Sequence, residues 1–243
     1  MVSSGWGQCD PANAKNRRRR PSILVEEGDT RILIDTSPDL REQLLDAKIR
    51  TLTAVLYTHS HADHLHGLDD LREVNRAMHG PLPAYATQTT FKDIRERFGY
   101  ALEGIDLVRS KGAVFRPWLV PHELDGPFEI GPLRIVPLDQ DHGVMRSTGF
   151  RFGERFAYST DLVDMPEESF QGLMGLDTWI VSCLTTIPHH THAHLARVLE
   201  WIERLKPRRV VITHMGPTFD YEGIRALLPG HVEPGFDGMV IEV

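Results

Sequence analysis

The run Thr58-His59-Ser60-His61-Ala62-Asp63-His64 sets four metal-binding side chain types almost side by side. Imidazole and carboxylate are natural ligands for zinc, and they also suit manganese or iron. The run follows Thr53 to Tyr57, an apolar, β-prone segment that reads as a buried strand. A loop just past a strand can turn alternate side chains to one side while the next residues begin a helix. His59 and His61 then face one ion, and Asp63 and His64 a second. Gly67 relieves crowding where the helix begins, and that helix reads as Gly67 to Met78. A lone His at a strand end is usually an ordinary polar residue. A pattern this dense, in a strand-then-helix context, is not.

Outward from the run, three more ligand types end apolar segments. His142 lies in Asp141-His142-Gly143 after Leu133 to Leu138. Asp161 lies in Ser159-Thr160-Asp161, and His214 in Ile212-Thr213-His214. Each alone would be an unremarkable strand-end residue; beside the histidine run they read as ligands.

The rest of the chain supplies the scaffold. Ser22 to Val25 and Arg31 to Ile34 read as a hairpin across Glu27-Gly28-Asp29. A short helix follows around Leu40 to Asp46. Leu82 to Ala86 reads as a strand and Thr89 to Leu102 as an amphipathic helix. Leu107 to Val120 and Phe128 to Pro137 read as strands and turns, broken at Gly131-Pro132. Thr148 to Phe152 and Arg155 to Ser159 form a second hairpin. Thr178 to Cys183 and Val210 to Thr213 are apolar strands, separated by a helix over His194 to Leu205. The order, strand-rich and then helical, occurs twice. It predicts an α+β fold of two sheets packed face to face with helices outside, a four-layered αββα sandwich. Residues 1–243 read as one domain with an irregular arm over 1–21.

Composition narrows the class. A chain of 243 residues with 41% hydrophobic and 25% charged residues can bury a sizeable core. The formal net charge of −7 gives no overall attraction to nucleic acid or anionic membrane, so a long nucleic acid is not the expected partner. Cys9 and Cys183 are the only cysteines, too few for a disulfide framework and in keeping with a reducing compartment. No apolar run approaches membrane-spanning length, and Met1 to Asp10 lacks the apolar core of a secretion signal. The expected location is the cytoplasm.

The residues now assembled resemble the metallo-β-lactamase superfamily, and within it the PhnP-like phosphodiesterases that open cyclic phosphodiesters. The matching stretches are Arg17 to Ser22, Thr58 to Gly67, Gln140-Asp141-His142, Ser159-Thr160-Asp161, Thr191-His192, Thr213-His214 and Gly235 to Met239. The resemblance implies that His59, His61 and His142 bind one divalent ion, zinc or manganese. Asp63, His64 and His214 would bind the other, and Asp161 would bridge the two. His192 matches a histidine of that branch that is not a ligand, contacts the phosphate and protonates the leaving oxygen. The chain departs from the branch in lacking the N-terminal cysteine cluster, since only Cys9 stands there, so no third metal is expected. Relatives also begin with a strand and a Gly/Ser-rich turn, of which Val2 to Gly5 is the expected remnant.

The resemblance implies in-line hydrolysis of a small cyclic or nucleotide-like phosphodiester. Two cations about 3.5–4 Å apart can share a bridging hydroxide whose parent water has its pKa lowered to near 7. Asp63 or Asp161 would orient it, and His192 would donate to the leaving alkoxide. Arg20, in the run Arg17 to Arg20, is a candidate anchor for the anionic substrate, against the alternative of a solvated arm. Arg72 and Arg76, four apart on the helix after the motif, could reach a phosphate, against a surface ion-pair role. His66, His189, His190 and His194 read as solvent-facing or as supports for ligands. Three other functions share the motif or ligand set: a transfer-RNA 3′-end endonuclease, a glyoxalase II-type thioester hydrolase, and a metal-dependent nucleotide-binding module without turnover. A homodimer is a plausible assembly by the same resemblance.

Overall fold

The computed structural model describes residues 5–243, which form two compact units, residues 20–134 and residues 5–19 with 135–243. The expected remnant of a leading strand, Val2 to Ser4, lies outside the described residues.

The first unit carries a sheet in the order β1-β2-β3-β4-β5. β1 (Ile23–Glu27) and β2 (Thr30–Ile34) form the expected hairpin, closed by Glu27 opposite Thr30. Gly28 in its turn has φ +57, a conformation that costs glycine nothing. β3 (Ala54–Leu56), β4 (Leu82–Ala86) and β5 (Leu119–Glu123) then add in parallel. β3 is buried along its whole length, which explains a continuous apolar run in place of alternation. Helices α1 (Leu40–Asp46), α2 (Ala62–Leu65), α3 (Leu71–Met78) and α4 (Gln88–Phe98) contribute Leu40, Leu65, Leu71, Val74, Phe91 and Ile94 to a core with Leu33, Val55 and Tyr57.

The helix expected over Gly67 to Met78 is observed as a 3-10 turn that runs into α3, with α2 a separate turn before it. α2 ends at Leu65, a 3-10 turn covers Leu68–Asp70, and α3 starts at Leu71. Gly67 stands where the helix begins, as expected, and makes a close approach there: a Cβ would stand 1.9 Å from the Ser37 carbonyl oxygen. Gly67 N–H donates to Thr36 O at 2.9 Å, and Thr36 N–H donates to His64 O at 2.8 Å. The glycine therefore joins the end of β2 to the histidine loop and does not simply start a helix. The expected strands over Leu107 to Val120 reduce to β5, and most of that stretch is irregular. β6 (Phe128–Ile130) completes this unit.

The second unit's sheet runs β12-β11-β10-β9-β8-β7. β7 (Leu133–Asp141), inside which the division between units falls, pairs antiparallel with β8 (Arg146–Phe152), and β8 pairs antiparallel with β9 (Phe156–Ser159). β10 (Thr178–Ser182), β11 (Arg209–Thr213) and β12 (Val232–Pro234) continue parallel to β9. Consequently β7, β9, β10 and β11 all end on one edge of the sheet. Around it lie α5 (Glu167–Gly172), α6 (Leu195–Leu205) and α7 (Tyr221–Arg225). Their core includes Trp179, Phe170, Val198, Trp201, Val210 and Ile212, and the Trp179 indole N–H is satisfied by Ser159 Oγ at 3.1 Å.

The irregular arm is tied down. Cys9 is buried with Sγ 3.3 Å from Phe219 O, and Tyr221 N–H donates to Asn16 Oδ1 at 2.8 Å. Arg18 donates to Phe219 O at 2.7 Å and Arg19 pairs with Asp237 at 3.0 Å. These contacts join the arginine run to the C-terminal stretch that the sequence comparison had singled out.

Candidate metal centre

In the first unit, parallel β2 and β3 release their next residues at the same edge. Asp35 follows β2 and Thr58-His59 follow β3. Asp35 is fully buried and takes φ +65, a left-handed conformation uncommon outside glycine but tolerated by Asp. Its carboxylate accepts from the Thr58 amide and the Thr58 hydroxyl, each at 2.8 Å, and bonds His64 Nδ1 at 2.7 Å. Burial pushes the Asp35 carboxyl above its ordinary value, opposed by His64 and by both Thr58 hydrogen bonds. Thr58 Oγ1 also lies 3.0 Å from His59 Nδ1. Both histidines thus have Nδ1 held by protein, the arrangement expected of an imidazole that ligates through Nε2.

The rings of His59 and His61 are 4.7 Å apart, and those of His59 and His64 are 4.4 Å apart. Ligand atoms of His59 and His61, and of Asp63 and His64, lie within 4.8 Å of each other. Ser60, between the two histidines of the His-x-His pair, is gripped by α4. Its hydroxyl bonds Asp93 and its carbonyl accepts from Arg97.

In the second unit, the shared strand edge gathers the other candidates. His142 follows β7, Asp161 lies past β9 and His214 past β11. Asp161 and His214 have φ +52 and +54, so both turn sharply as their strands end. Strained backbone of this kind is tolerated where surrounding structure enforces it, often at functional sites. Asp161 is held by Ser182 Oγ, which accepts its amide at 3.1 Å, and by Ser147 Oγ, which donates to its carbonyl at 2.6 Å. The two carboxylate oxygens of Asp161 face different imidazoles. Oδ2 lies 3.5 Å from His142 Nε2, and Oδ1 lies 3.1 Å from His214 Nε2. His142 Nδ1 is held by Thr191 O at 2.6 Å.

His192 stands among them, its ring 4.8 Å from His142 and 5.2 Å from His214, with Nδ1 3.9 Å from Asp161 Oδ2. Burial lowers its pKa to about 4, against the pull of Asp161 and with help from the neighbouring imidazoles.

The remaining candidates take protein partners within the first unit. Arg20 bonds Asp39 through both backbone and side chain. Arg72 pairs with Glu73 at 3.2 Å. Arg76 pairs with the same Glu73 at 2.7 Å and donates to Val114 O at 2.7 Å. Exposed pairs of this kind contribute little to stability.

Sequence reading missed Asp35, Thr58, Asp93 and Thr191 as supports. For Asp35 the signal was present: a carboxylate ending the apolar run Ile32-Leu33-Ile34, the same context that marked Asp161. Asp35→Ala strands the Thr58 amide, a buried imidazole N–H and a left-handed backbone at once. The expected result is a loss of about 3 kcal/mol or more in a urea unfolding titration. A loss under about 0.5 kcal/mol, as for an ordinary surface site, would show that Asp35 holds nothing.

The donor set fits divalent metal. It is a His/Asp group with ring nitrogens oriented by outer hydrogen bonds, the arrangement expected around ligating imidazoles. Comparison with known proteins agrees. The Beta-lactamase superfamily domain matches residues 30–215. A Porphyromonas gingivalis protein named octanoyltransferase is 33% identical over 238 residues, which are 95% of this chain and 46% of that protein. A ribonuclease Z of Pyrobaculum islandicum is 26% identical over 72% of this chain and 63% of its own length. The chain thus spans about half to two thirds of these curated relatives. Among solved structures, a diphosphatase from the PhnP family superposes with TM-score 0.86 at 31% identity, covering 96% of this chain and 87% of that one. Human tRNase Z, short form, shares the fold with TM-score 0.70 at 17% identity, covering 98% and 97%. The chain belongs to the β-lactamase superfamily of metal-dependent hydrolases. Within it, the chain falls in the PhnP-like branch. No helix among the described residues is long and apolar enough to cross a membrane.

Proposed function

We propose that this protein is a dinuclear phosphodiesterase acting on a small cyclic or nucleotide-like phosphodiester, with residues 1–243 working as one catalytic domain. His59, His61 and His142 would hold one divalent ion, and Asp63, His64 and His214 the other. Asp161 would serve both. The observation that carries this reading is the two-sided Asp161 carboxylate, one oxygen facing His142 and the other His214. When bound, the two ions supply a water acidic enough to attack at neutral pH and offset the charge that grows on the phosphoryl oxygens. Asp63, part-exposed beside His64, accepts a proton from that water and aims it at phosphorus. The water oxygen bonds to phosphorus as the P–O bond to the leaving group breaks. His192 donates its N–H to the leaving oxygen, and an anionic substrate beside it raises its proton affinity from the value set by burial.

Two named relatives support other readings. Ribonuclease Z proteins cut RNA, and the P. gingivalis relative is named for octanoyl transfer, although more than half its length lies outside the match. The net charge of −7 disfavours tight binding of a long RNA. A panel of bis(p-nitrophenyl) phosphate, a nucleoside 2′,3′-cyclic phosphate, a precursor transfer RNA and an octanoyl thioester separates them. Turnover of the two small diesters with none of the thioester is expected. Thioester cleavage without diester cleavage would replace the proposal, and RNA cleavage that alone proceeds would do the same in favour of a nuclease.

A further inference from the structure

The exposed loop between β10 and α6 carries a histidine that the mechanism does not use. His189 Nδ1 accepts from the Thr191 amide at 3.3 Å. An imidazole nitrogen that accepts holds no proton, so in the neutral ring the proton sits on Nε2. His189 thus presents an N–H donor on an exposed ring whose centre lies 5.3 Å from that of His192.

Its position is fixed from two sides. The same Thr191 offers its carbonyl to His142 Nδ1, so the backbone of one residue links His189 to a proposed metal ligand. The turn after β7 also lies against the loop. A Cβ at Gly143, which has φ +77, would meet His190 O at 2.8 Å and Thr191 Cγ2 at 2.7 Å. A donor held in place before substrate arrives loses little freedom on binding.

We infer that His189 is a specificity-determining residue that binds a second, non-scissile phosphate on the leaving-group side, selecting substrates with a P–O–P linkage over simple diesters. This rests on the phosphodiesterase reading, in which His192 faces the leaving oxygen. One ring further out is where a phosphate attached through that oxygen would lie. The step is hydrolytic and needs no further reactant. Water oxygen bonds to the scissile phosphorus, the bridging P–O bond breaks, and the leaving phosphate takes the proton. His189 hydrogen-bonds its outer oxygens.

The test uses the metal-loaded protein with two probes, a dinucleoside diphosphate and bis(p-nitrophenyl) phosphate. His189→Ala is expected to lower kcat/KM by about 10–100-fold on the diphosphate, the effect of one hydrogen bond to a charged group. Activity on the single-phosphate probe should stay within about twofold, well under the tenfold that 1.4 kcal/mol represents. His189→Gln, which returns an N–H near the Nε2 position, should restore most of the loss. Bound metal should be unchanged in both variants. Equal losses on the two probes, no loss on either, or a wild-type protein that cleaves only the single-phosphate probe would each overturn the inference and leave the phosphodiesterase reading standing. A wild-type protein that cleaves neither probe would overturn both.

Discussion

Asp161→Asn is expected to lower kcat/KM on a phosphodiester by more than about 100-fold, the least that loss of a main electrostatic contact in such a site costs. Asparagine is the informative substitution because residue 161 has φ +52, which Asn adopts more readily than Ala. The amide keeps one oxygen but loses the charge and one of two acceptors. His142 and His214 then no longer face a shared anion. Metal content should fall together with activity, which elemental analysis reads. Full metal content with full activity would show that the Asp161 carboxylate, which accepts from the Thr160 hydroxyl at 2.8 Å, is structural.

His192→Ala separates catalysis from metal binding. His192 neighbours three proposed ligands and is assigned to none of the two ions. Removing it should leave the metals in place while kcat falls by about 100–10,000-fold, the range for loss of a positioned proton donor. The loss should be largest for an alkoxide leaving group and small for p-nitrophenolate, which departs as a stable anion. Metal loss in this variant would make His192 a ligand. An equal fall with both leaving groups would make its role one of binding phosphate.

The sequence exposed those parts of the site that sit where apolar segments end. His59, His142, Asp161 and His214 each follow a strand, and an apolar run closed by a ligand type is visible without coordinates. The edge that His142, Asp161 and His214 share in the second unit depends on β7, β9, β10 and β11 pointing one way, which strand order determines and residue patterns do not. The supports were harder to read. Thr191 acts through its backbone carbonyl, and its side chain gives no hint of that. Asp93 and Arg97 reach Ser60 from a helix some thirty residues on, and on that helix they read as an ordinary i, i+4 ion pair. The partner that crowds Gly67 was illegible for a related reason. Only contact with Ser37, distant in sequence, shows why position 67 must be glycine.

The most direct test of the account is metal content paired with activity. Protein purified without chelator is analysed for zinc and manganese, stripped, and reconstituted, with bis(p-nitrophenyl) phosphate hydrolysis followed at each stage. The account predicts about two divalent ions per chain, activity lost on stripping, and activity recovered on adding back zinc or manganese. A protein that binds no divalent metal even after reconstitution, or that hydrolyses the diester equally well when stripped, would contradict it.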